Sequence, residues 1–106
     1  MNETVTHTGK VWLWTSATSP GSWHFLTIDG AAGEAIAAHE AMRRLEFGSG
    51  RGFGSVKVRA RIGESVWNTS VFPASEDGYI LPLKAAIRKA EGIAQGSEVT
   101  AELDLL

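Results

Sequence analysis

Hydrophobic and polar positions alternate most cleanly from Ser55 to Ile62, where Val56, Val58, Ala60 and Ile62 fall on one side of an extended chain. Lys57, Arg59 and Arg61 fall on the other, so a half-buried strand is predicted. Gly63-Glu64 makes a short turn, and Ser65 to Phe72 returns as the second strand of a hairpin. The chain closes on the same pattern: Val99, Ala101, Leu103 and Leu105 face a core, with Glu102 and Asp104 opposite. Residues 9–15 and 23–28 are different. Val11 and Leu13 lie on one face and Trp12 and Trp14 on the other, which predicts a strand apolar on both sides and hence a central one. Trp23 to Ile28 likewise has no clean polar face, and Ser16 to Ser22, with its Pro20-Gly21 pair, is the connection.

Two segments carry the helical period. After Asp29, a plausible cap, Ala35, Ala38, Met42 and Leu45 lie along one side with Ile36 widening it. Glu34, Glu40, Arg43 and Arg44 face out. The second helix lies in Asp77–Val99, which reads as strand, short helix, turn and strand. Pro82 suits a first helical turn and Gly92 the left-handed residue past the last one. Leu83, Ala86, Ile87 and Ala90 make its inner face, leaving Lys84, Arg88 and Lys89 to solvent. Residues 1–8 show no periodicity and are expected to be frayed, and residues 47–54 form a glycine-rich break. The predicted order is ββαβββαβ in one domain over residues 9–106, mainly β with two short-to-medium helices. Its crossings are too short for a wound parallel sheet, which leaves a small, mostly antiparallel barrel.

Composition narrows the classes. The 106 residues contain no cysteine, which removes disulfides, thiolate metal sites and cysteine nucleophiles together. No leader and no long apolar run is visible, so a cytoplasmic location away from membranes is expected. Ten Lys and Arg against twelve Asp and Glu give a charge of −2, which weighs against bulk electrostatic attraction to nucleic acid. Four tryptophans in so short a chain must anchor the core or line a pocket.

Three groups of residues are candidates for chemistry. Trp12, Trp14, Trp23 and Trp67, with Tyr79, would form an apolar, donor-bearing pocket for a small planar ligand if they met at one barrel mouth; plain core packing is the alternative. Lys57, Arg59 and Arg61 repeat at about 6 to 7 Å along one strand face, near the phosphate spacing of a nucleic-acid strand. With Arg51 and Arg88 they are the candidate anion contacts, against the plainer reading that Glu102 and Asp104 sit across from them as cross-strand pairs. The glycine-rich run follows a helix and opens a strand, the reverse of a dinucleotide-binding turn. His24 and His39, the histidines expected to be ordered, have neither metal-ligand spacing nor a nucleophile's setting. No cofactor or metal is therefore expected.

Four segments carry a family resemblance: Trp23-His24-Phe25, Gly52 to Val58, Trp67 to Pro73, and Gly78 to Ala90. On these, the chain from about Gly9 to Leu105 resembles the bacterial domain-of-unknown-function family 1905. The resemblance implies a double-split β-barrel, distantly like the AbrB-type regulators, and implies no activity. Where family members have a Leu-Pro pair after the first aromatic strand, this chain has Ile28-Asp29, so its first helix would start by Asp capping. The expected function is a non-enzymatic binding or interaction module for a small planar ligand, its partner unknown. The alternative is an AbrB-like nucleic-acid binder using the basic strand face. One chain is expected to close its own barrel as a monomer rather than exchange a hairpin in a dimer.

Overall fold

The computed structural model describes residues 3–18, 20–47, 54–74 and 77–106. The element order is β1 (Glu3–Lys10), β2 (Trp12–Thr15), β3 (Ser22–Ile28), α1 (Gly30–Phe47), β4 (Val56–Ile62), β5 (Ser65–Pro73), β6 (Tyr79–Pro82), α2 (Ala85–Glu91) and β7 (Glu98–Leu105). The seven strands form one antiparallel sheet in the order β1-β7-β4-β5-β6-β3-β2. β1 and β2 lie at opposite ends of that order, yet only Val11 separates them in sequence. The sheet must therefore curl until its two edges meet, giving a strongly curled half-barrel. Val11 is buried at the junction, donating its N–H to the Ser97 carbonyl (2.9 Å) and accepting from Gly96 N–H (2.8 Å).

The core follows the alternation. Val56, Val58, Ala60 and Ile62 from β4 meet Val99, Ala101, Leu103 and Leu105 from β7, with Leu26 and Ile28 from β3 and Leu81 from β6 closing the other half. The β4–β5 hairpin turns at Gly63, whose φ of 60° suits glycine. A second close approach locks β3, α1 and β6 together. A Cβ on Gly78 (φ 82°) would collide with the Ile28 carbonyl oxygen, and one on Gly33 would stand 2.8 Å from the same atom.

Four expectations need correction. Residues 3–10 are not frayed; they form β1, paired along its length with β7 and tied by Thr4 Oγ1 to Asp104 Oδ1 (2.7 Å) and by the Thr8 and Thr100 hydroxyls (2.8 Å). Backbone pairing and threonine contacts hold this strand, and Val5 is its one buried hydrophobic side chain, so it carries almost no apolar signal. It also orders a third histidine, His7, whose Nε2 lies 3.5 Å from Asp29 Oδ1. Second, the strand read as central ends as β2 at a sheet edge.

Third, α1 buries Ala32, Gly33 and Ile36 rather than the stripe through Met42 and Leu45, and residues 41–46 are exposed. Alanine-rich helices give a weak directional signal, and here the tie to the rest of the fold comes at mid-helix. His39 Nε2 and Arg43 Nη1 both reach the Leu106 carbonyl oxygen, at 3.2 and 2.7 Å. Asp29 accepts the Gly33 N–H through its backbone carbonyl (3.2 Å). Fourth, Pro82 ends β6, opposite Phe25, and α2 starts three residues later. Leu83 and Ile87 face the core while Ala86 and Ala90 are exposed; Gly92 does close the helix at φ 65°. No described helix is long and apolar enough to cross a membrane.

Candidate functional site

Register decides where the aromatic side chains go. In the β2–β3 ladder Trp12 stands opposite Phe25 and Trp14 opposite Trp23, so each pair shares a face. Leu26 and Ile28 occupy the other face of β3 and are fully buried. Trp12, Trp14, Trp23 and Phe25 therefore project from the outer side of the sheet, away from the core. The pairs are in contact: ring centroids are 5.1 Å apart for Trp12 and Phe25 and 5.3 Å for Trp14 and Trp23, both tilted.

These rings line a groove of about 640 Å³, extended by Thr27, Ile80, Pro73, Ala74 and Asp77. Ile80 reaches it because β6 places it opposite both Thr27 and Phe72. Trp12 is oriented by its own donor, since Nε1–H binds Thr27 Oγ1 at 2.9 Å. That bond leaves the indole face, not its N–H, to the groove. Asp77 stands in the β5–β6 connection, which the Ala74 N–H closes on the Gly78 carbonyl (3.0 Å). The tight packing of Gly78 on Ile28 holds this wall against the end of β3.

The five aromatic residues expected at one barrel mouth are thus divided between two faces. Trp67 and Tyr79 face inward, opposite Ala60 and Ile28 respectively, and are buried. Burial, chiefly, and the neighbouring Glu40 raise the Tyr79 phenol above its ordinary pKa, with Arg44 acting against them. Parity could have made the division from sequence: Trp67 shares the parity of Val71, whereas Trp23 and Phe25 oppose that of Leu26. Phe25, Ile80 and Asp77 are site residues that the tryptophan count passed over, and the same parity marks Phe25.

The basic candidates separate as well. Lys57, Arg59 and Arg61 share the outer face of β4, but Arg59 stands opposite Asp104 and Arg61 opposite Glu102. Two of the three basic residues thus face carboxylates on β7, while Lys57 lies beside Leu106, whose N–H its carbonyl accepts (3.0 Å). Arg88 is on α2, where its Nε donates to the Leu83 carbonyl (3.1 Å), and Arg51 lies outside the described residues.

Arg88 and Lys84 instead border a smaller cleft of about 380 Å³, which also takes in His24, Asn68, Thr69 and two of the predicted aromatic residues, Trp23 and Trp67. His24 Nδ1 is buried there with no hydrogen-bond partner among the described residues. Desolvation, and then the charge of Arg88, lower the His24 pKa from its ordinary value. Among the described residues no three His, Asp or Glu side chains gather as a metal site would require.

No curated protein matches this chain. A family does, however, over residues 8–103, most of the half-barrel and both faces just described. The chain belongs to the family described as Domain of unknown function (DUF1905).

Proposed function

We propose that this protein is a non-enzymatic binding module whose outer aromatic groove takes a small flat ring. One observation carries the reading. Trp14 and Trp23 remain 45% and 47% exposed although they contact each other, beside the Trp12–Phe25 pair, on a face that the core does not use. Large aromatic surface left in water at a concave place is unfavourable for a free-standing domain, and such patches mark binding sites. Flat ligands suit it because tryptophan faces offer stacking area at little cost in side-chain freedom.

The four indole N–H resonances make a direct test. Titrating the protein with neutral planar heterocycles, quinoline among them at pH 8, should shift the signals of Trp12, Trp14 and Trp23. Trp67, on the inner face, should stay still. The double variant Trp14→Ala/Trp23→Ala should lose the response. A titration to millimolar concentration that moves none of the three outer indoles, or moves Trp67 equally, would refute the groove as the binding site.

A further inference from the structure

We infer that the ligand of the aromatic groove is an organic cation, a flat ring system carrying a positive charge that is held against the tryptophan faces and drawn toward Asp77. The inference rests on the reading of the groove as a binding site and adds its charge preference. Asp77 is the only ionisable residue lining the groove among the described residues, and it has no hydrogen-bond or ion-pair partner among them. The surrounding rings act in the same direction, because an aromatic face carries the negative end of its quadrupole and attracts a cation within about 6 Å.

Of the three indole donors at the groove, the Trp12 Nε1–H is already bound to Thr27, and an N–H dipole offers an anion less than a full positive charge would. Among the described residues no basic side chain lines the groove. Lys84 and Arg88 border the separate cleft, which shares Trp23 with the groove, so two neighbouring cavities are lined by charges of opposite sign. An anionic ring would find its complement in the small cleft and repulsion in the groove.

Two probes of the same shape separate charge from stacking: N-methylquinolinium and quinoline at pH 8, each followed by the indole N–H shifts of the intact protein. The cation should bind about tenfold more tightly. Asp77→Ala should bring the two within about threefold by weakening only the cation, and Asp77→Lys should reverse the order. Added salt should weaken the cation alone, a measurement that needs no variant. Equal affinities for the two probes, or a preference unchanged by either substitution, would overturn the inference while leaving the groove a site for neutral rings. Failure of both probes to move the outer indoles would overturn it together with the reading beneath it.

Discussion

The outer surface of the curled sheet has two unlike halves. Over β7 and β4 it is polar and matched: Thr4 binds Asp104, Thr8 binds Thr100, and Arg59 and Arg61 stand opposite Asp104 and Glu102. Over β2, β3 and β6 it is aromatic and uncovered. Both halves enclose the same core, and Leu103 on one side and Leu26 on the other are equally inaccessible. Core demands cannot explain the difference, because the outer face contributes nothing to the interior. A matched polar face needs no partner, whereas an aromatic face in water gains free energy from one.

The largest effect that would break this contrast is a stability comparison between the two sides of one strand pair. Leu26→Ala should cost about 2–5 kcal/mol in urea unfolding, as expected for a buried leucine. Trp14→Ala should cost about 1 kcal/mol, the worth of an exposed aromatic contact. Equal losses would mean that the outer rings are structural after all. The polar half is tested by Arg59→Gln with Arg61→Gln, which should destabilise by about 0.2–1 kcal/mol at low salt. That loss should fade in 1 M salt, and a double variant with undiminished low-salt stability would show that the opposed charges are not satisfying one another.

The smallest effect concerns His24, where β3 meets α2. Its folded-state pKa lies below the ordinary 6.5, so the fold favours the neutral ring. Above that pH both states are neutral and the residue is silent. As pH falls below it, the unfolded chain takes up the proton first and stability declines until the folded-state pKa is reached. His24→Gln should flatten this part of the pH–stability curve relative to the unaltered protein. An identical slope in both proteins would show that His24 does not carry the dependence.

The two halves also differ in how plainly the sequence speaks. Alternation in Ser55–Ile62 and Val99–Leu105 has a single interpretation, because only one face is apolar; strands, inward residues and opposing carboxylates were all readable there. In Trp12–Trp14 and Trp23–Ile28 both faces are apolar, a pattern shared by a strand buried on two sides and by an edge strand with an aromatic binding face. Exposure of the second face is a property of what the rest of the chain fails to cover, and no local pattern records it. The N-terminal strand gave the opposite error: its threonines favour extended structure, but its place depends on β7, almost a whole chain away. Asp77 could not be tied to the groove before the close packing of Gly78 on Ile28 was known. Gly92 and Gly63 needed no such context, since left-handed positions at a helix end and a two-residue turn have local causes.

The junction at Val11 has a consequence for the order of folding. β2 finds its partner close by, with Thr15 opposite Ser22 across a short connection. β1 must wait for the last strand, as in the contact between Thr4 and Asp104, 100 positions apart. Long-range closure of this kind is what slows β-rich domains to milliseconds or seconds. During synthesis, therefore, one nearly continuous strand lives two lives. Its aromatic half has a strand partner close by in sequence, while its polar half has none until the final eight-residue strand is made.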